Sequence, residues 1–123
     1  LRLIITDNPK QNELAAQFLD SRSASDPAYV PLLVFAEACW VLKRVYRFRT
    51  DQISMALLSI MSGGDIVFEE EDFIHGLLSD EGAFGGDIAD HVIAHMATQA
   101  GCSKTITFDQ AAAQNIPGME LLA

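Results

Sequence analysis

Basic residues are scarce in this chain. Eight Lys and Arg stand against seventeen Asp and Glu, a formal net charge of −9. A surface of that sign does not attract polyanions, so a nucleic-acid partner would need a local basic patch or bound cations. Cysteine is nearly absent as well. Cys39 and Cys102 show no metal-type spacing, and the expectation is a free, buried, reduced pair in a cytoplasmic protein. No apolar run approaches membrane-span length and no signal peptide is visible, so no membrane partner is expected. P-loop, dinucleotide and Ser/His/Asp signatures are missing too. A small phosphatase-like hydrolase therefore lacks its nucleophile motif.

Apolar material is plentiful. Half of the 123 residues are hydrophobic, enough for one domain, 1–123, with a real core. Leu1 to Thr6 is apolar except for Arg2, and Asp7-Asn8-Pro9 breaks the run as a turn. Pro9 suits the first turn of a helix over about 10–20, capped by Asp7 or Asn8, with Leu14, Ala15, Phe18 and Leu19 on one face. Ala28-Tyr29-Val30 reads as a strand, and Pro31 opens a helix near 32–46 that is apolar on nearly every side and so expected to be buried. Within it stands one carboxylate, Glu37, and its end turns basic with Lys43, Arg44, Arg47 and Arg49.

A further helix starts at Thr50-Asp51-Gln52, with Ile53, Met55, Ala56, Leu57, Leu58 and Ile60 apolar, and stops at Ser62-Gly63-Gly64. Asp65 to Phe68 is a short strand. Glu69 to Asp80 is an acidic-fronted helix with Phe73, Ile74, Leu77 and Leu78 inside. The stretch from Gly85 to Asp109, GGDIADHVIAHMATQAGCSKTITFD, then supplies a helix opened by two aspartates, a glycine stop and a β run. A short helix over 110–114 and an edge strand over 119–122 finish the chain. The pattern is helix-rich α/β/α with a small parallel sheet.

The carboxylates carry the chemistry, and each has a plain alternative. Glu37 in an apolar helix is costly unless it snorkels, pairs with an Arg, or ligates a cation at a sheet edge. Asp87 follows two glycines, where an N-cap belongs. Asp90 falls at the third helical position, favoured there by the helix dipole and by capping-box geometry. Asp109 ends a strand, the edge at which open α/β sheets bind ligands, and could equally cap the next helix. His91 and His95 have the four-residue spacing of a metal pair, but the sequence is HVIAH without the glutamate, so packing or solvated histidines are expected. Asp65, Glu69, Glu70, Glu71 and Asp72 read as a solvated helix start. If several acids converge they need a cation, and hard oxygen ligands favour Mg2+ or Mn2+, which suits hydrolysis of a nucleic-acid backbone.

With these residues in view, the chain resembles the PIN-domain ribonucleases, and among them the VapC toxins of toxin–antitoxin pairs. The resemblance spans nearly the whole chain. It rests on VPLLVFAEACWVLKRVYRF, where Glu37 matches the family's second acid, and on the 85–109 stretch, where Asp90 matches the third and Asp109 the fourth. Asp87 lies where relatives often carry a further Asp. The resemblance implies a PIN-like domain whose metal ligands are Glu37, Asp90 and Asp109, with Asp87 secondary. It also implies an endoribonuclease using Mg2+, a homodimer, and a cognate VapB-like antitoxin that occludes the site. Lys43, Arg44, Arg47 and Arg49 are candidate RNA or partner contacts, or simply a solvated helix end.

The departure is at the front. Family members begin with a strand ending in Asp-Thr-Asn or Asp-Thr-Ser, whereas this chain opens on Leu1, already inside an apolar run. The expectation is that the first strand and its acid are missing here, so that either the polypeptide is longer than these residues or this form binds metal poorly and is close to inactive. Asp7-Asn8 imitates that motif but falls in a turn. The competing expectation is a non-catalytic PIN-like RNA- or protein-binding regulatory module whose acids serve as caps.

Overall fold

The structure is a computed structural model that describes residues 1–79 and 86–122. Asp80 and Gly85, expected at a helix end and in a glycine break, lie outside the described residues. The elements run α1 (Pro9–Asp20), β1 (Ala28–Val30), α2 (Leu32–Arg44), α3 (Thr50–Met61), β2 (Ile66–Phe68), α4 (Glu71–Ser79), α5 (Ile88–Gln99), β3 (Thr105–Thr107), α6 (Gln110–Asn115) and β4 (Met119–Leu121). The mixed helix-and-strand class is as expected. The sheet is not single: among the described residues β1 pairs only with β2 and β3 only with β4, both parallel. Ala28 lies opposite Ile66 in the first pair and Thr105 opposite Met119 in the second.

Local chemistry explains most of the boundaries. Asn8, not Asp7, caps α1, its side chain accepting from Gln11 N at 3.1 Å with Pro9 at the first helical position. Asp7 instead engages Arg2 and the Tyr46 hydroxyl at the surface. The expected apolar face of α1 is a correction. Leu14 and Phe18 are more than half exposed and α1 buries no residue, so only Ala15 and Leu19 turn inward.

Helix α2 also departs from expectation. It buries a stripe, Leu32, Phe35, Cys39 and Leu42, and leaves Leu33 77% and Trp40 49% exposed. An all-round apolar composition fixed no face here; the helix is one-sided in practice. Its N-terminus has no cap of its own, and Glu69, beyond β2, accepts from Leu32 N at 2.7 Å. Helix α3 opens with Gln52 reaching back to its N-cap, Arg49 N donating to Gln52 Oε1 at 2.8 Å, and it leaves Met55 exposed.

Helix α4 begins at Glu71 rather than Glu69, because Glu70 adopts a left-handed φ of 57° and turns the chain. The acidic run is accordingly more than a solvated helix start: Glu69 caps α2, and Glu70 reaches His95.

One large core gathers α2, α3, α4, the start of α5, β1 and β2, with Phe35, Leu42, Ile53, Ile74 and Leu78 almost wholly enclosed. Phe35 and Phe68 meet edge to face, centroids 6.4 Å apart. A second core is much smaller: Ala94 of α5, Ala112 and Ile116, with Met119 packed beside them. Helix α5 therefore contributes to both, Ile88 and Val92 to the first and Ala94 to the second. No helix among the described residues is long and apolar enough to cross a membrane.

Candidate functional site

The start of α5 holds the site. Asp87 is its N-cap, extended at φ −88°, ψ 135°, with Oδ1 accepting from Ala89 N at 3.0 Å. Gly86 just before it has φ 85°, a conformation side chains resist, and a Cβ there would lie 2.7 Å from Ile116 Cδ1. This glycine thus brings the helix start against the end of α6. Asp90 follows in the first turn of α5, half-buried. Across from it Asp109 caps α6, accepting from Ala112 N at 3.0 Å, while its own N–H donates to Thr107 Oγ1 at 3.0 Å.

Electrostatics couple these three acids. Burial raises the Asp90 carboxyl above its ordinary range, and the charges of Asp87 and Asp109 raise it further; His91 and Lys43 act in the opposite sense. Carboxylates from the two helices therefore meet in one field. Lys43 Nζ and Arg44 Nη2, from the last turn of α2, lie 3.9 and 3.8 Å from Asp87 Oδ2. Behind them Cys39 is buried, and burial together with the Asp87 charge pushes its thiol up to about 12. Both cysteines are free as expected, but Cys102 is exposed after the Gly101 turn, which corrects the expectation of a buried pair.

Glu37 stands apart. It is exposed on α2, not buried, and among the described residues it forms no hydrogen bond or ion pair. It lies seven residues before Arg44 on the same helical face, about 10 Å along the axis. Among the described residues no three His, Cys, Asp or Glu side chains come together as a metal-holding group. The structure thus places Asp90 within the electrostatic reach of Asp87 and Asp109, with Lys43 and Arg44 beside Asp87. Arg47 stays exposed in a left-handed turn, and Arg49 pairs with Asp51 at 3.1 Å.

The histidine pair packs, as expected. His91 is 9% exposed, and His95 stacks on Phe73 with centroids 3.8 Å apart and planes 7° from parallel. His95 Nε2 lies 3.5 Å from Glu70 Oε2, in the turn before α4, without a hydrogen bond between them. The residues that sequence reasoning missed are Gly86 and Glu69. A GGD sequence announces a turn, but only the fold shows that the second glycine abuts Ile116.

The acids on α5 and α6 are oxygen donors of the kind hard divalent ions take, and their mutual repulsion at Asp90 is what such an ion would relieve. Comparison with models of known families, with curated proteins and with solved structures finds no match.

Proposed function

We propose that this chain is a PIN-like α/β/α domain acting as a Mg2+-dependent endoribonuclease toxin of the VapC type. The observation that carries the reading is Asp90 in the first turn of α5, half-buried, with the charges of Asp87 and Asp109 acting on its carboxyl. Asp90 and Asp109 would hold the ion, with Glu37 completing the set and Asp87 in an outer, orienting role. Mn2+ would serve as well as Mg2+, since both take carboxylate oxygens. When bound, such an ion supplies Lewis-acid stabilisation to a phosphodiester under attack by water. Asp87 fixes the start of α5, and so the bearing of Asp90, through its bond to Ala89 N.

One further feature supports the reading. The exposed apolar face of α2, Leu33, Val34 and Trp40, suits a homodimer or antitoxin contact. A cytoplasmic setting and an occluding antitoxin belong to the same proposal.

The test is RNA hydrolysis by the protein in Mg2+ or Mn2+. Cleavage should vanish with EDTA and fall on the order of a hundredfold or more in Asp90→Asn. No metal-dependent cleavage, with Mn2+ binding untouched by Asp90→Asn, ends the reading. One observation favours a second reading, a non-catalytic binding module. Asp87 and Asp109 are both already engaged as helix caps at 3.0 Å.

A further inference from the structure

The turn between β2 and α4 faces two helices at once. Glu69 caps α2 by accepting from Leu32 N at 2.7 Å, and Glu70 turns its carboxylate to His95 on α5. Glu70 itself is held at a left-handed φ of 57°, which a residue with a Cβ keeps only where its surroundings enforce it. The Glu69 bond is one such restraint. The Glu70 contact is incomplete: His95 Nε2 lies 3.5 Å from Glu70 Oε2, shielded from solvent, and makes no hydrogen bond.

A neutral imidazole there either turns a lone pair on the carboxylate or donates across a gap too long for a full bond. An imidazolium donates with charge assistance at about 2.7–2.9 Å, so roughly 0.7 Å of movement closes the gap. The ring face is suited to the same charge. His95 stacks on Phe73, centroids 3.8 Å apart, and a cation over an aromatic face is attracted by its quadrupole. Beside the ring a cavity of about 170 Å3, lined also by Thr98 and Pro117, leaves room for the shift.

Charged neighbours are few among the described residues. On α5 itself His91, buried, lines the same cavity, and a charge there would oppose one on His95. The turn before α4 contributes Glu70, α4 the uncharged Phe73, and the α6–β4 turn Pro117. Glu71, Asp72 and His75 line a different cavity, against the end of α3.

We propose that Glu70 and His95 form a proton-operated latch, open when the imidazole is neutral and closed when it is charged, which fastens α5 to the turn that caps α2. His95 adjoins Ala94, the α5 residue of the small core, so closure stiffens the junction between the two cores. An imidazole generally changes charge between about pH 5 and 8. The latch therefore stabilises the fold toward the acid side of that range and lets go as pH rises through it. Acid strong enough to discharge Glu70 opens it again. The latch is independent of the nuclease reading, and no outcome below bears on metal-dependent cleavage.

The experiment is a double-mutant cycle, read by urea unfolding at about pH 5.5 and about pH 8.5, on either side of most of the imidazole range. It takes the parent protein, Glu70→Gln, His95→Phe and the double variant. Glu70→Gln keeps the shape and loses the charge, and His95→Phe keeps the stack on Phe73 and loses Nε2. At the lower pH the coupling between the two sites should be about threefold to tenfold in the unfolding equilibrium constant, and near onefold at the higher. Nitrogen-15 NMR of the histidine rings is the second measurement and needs no ring substitution. His95 should carry protons on both nitrogens over a wider pH range in the parent than in Glu70→Gln, while His75, exposed on α4, behaves alike in both. Coupling of equal size at both pH values makes the pair an ordinary packing contact and overturns the latch. Coupling absent at both, or a His95 whose protonation ignores Glu70→Gln, overturns it as well. Should His95→Phe fail to fold, the NMR comparison decides alone.

Discussion

The two cores of this molecule differ in kind. The large one interlocks Phe35, Phe68, Leu42, Ile53, Ile74 and Leu78 from α2, α3, α4 and β2, while the small one rests on Ala94, Ala112 and Ile116. Apolar burial stabilises roughly in proportion to area, so two alanines and an isoleucine contribute far less than a cluster of aromatic and branched side chains. Asp90 rides on a helix anchored in the large core, and Asp109 rides on the unit built around the small one. The charge of Asp109 thus acts on Asp90 across a boundary between a strongly and a weakly held region. Low local stability is common where a site must open to a ligand, and here it falls on the α6 side.

Deep truncations break this comparison most directly. Phe35→Ala removes a ring that is 1% exposed and edge-packed on Phe68, and should cost about 3–5 kcal/mol. Against a typical total of about 5–15 kcal/mol that loss lowers the whole denaturation midpoint. Ile116→Ala should cost less, about 2–3 kcal/mol, and chiefly locally. Hydrogen exchange should then speed up over 105–121 while α2 and α3 stay protected. Uniform loss of protection across the chain would show one core rather than two.

Gly86 sharpens the boundary further. Gly86→Ala places a Cβ at φ 85° and 2.7 Å from Ile116 Cδ1, and the left-handed conformation alone costs about 1–2 kcal/mol. The measured midpoint should drop accordingly, with the excess exchange again confined to the α5 start and α6. An unchanged midpoint would mean that the α5 start does not lean on the small core.

Legibility followed the range of the interactions. Caps are local, so Asp87 and Asp109 were readable from the residue types before α5 and α6, and the glycine stops marked the ends of helices. The Glu69 cap of α2 was not, because its partner Leu32 lies 37 residues away and no local pattern links them. The exposure of Glu37 was hidden for a different reason. Leu33, Val34 and Trp40 gave α2 an apolar composition on all sides, and composition does not reveal which face finds partners. One expected sheet became two pairs because pairing of three-residue strands depends on tertiary placement, not on their sequences. Strand-end logic expected Asp90 and Asp109 at one edge; the charge of Asp109 acts on the Asp90 carboxyl, while among the described residues no metal-holding group forms.

Asp109→Ala tests the weak side with a smaller effect. It removes the acceptor for Ala112 N and should cost about 1 kcal/mol, as loss of an N-cap does. A cost near zero in thermal melts would mean that α6 is capped by other means.

The smallest expected effect has the opposite sign. The raised Asp90 carboxyl means that the unfolded chain gives up this proton more readily than the folded one. Stability from this group is therefore greatest at acid pH and is lost as pH rises through the unfolded and then the raised folded value. Asp90→Asn removes the ionisation, so the variant should melt slightly higher than the parent at neutral pH without metal, and the difference should shrink as pH falls toward the unfolded carboxylate range. A favourable interaction of Asp90 with the α5 dipole works against this gain, which is why the effect is the smallest of the set. Added Mn2+ should raise the parent's midpoint and leave that of the variant nearly where it was, since a ligand stabilises only the form that binds it. A parent midpoint unmoved by Mn2+, alongside an Asp90→Asn variant that melts lower at neutral pH, would make Asp90 an ordinary helix-start acid and return the edge to capping alone.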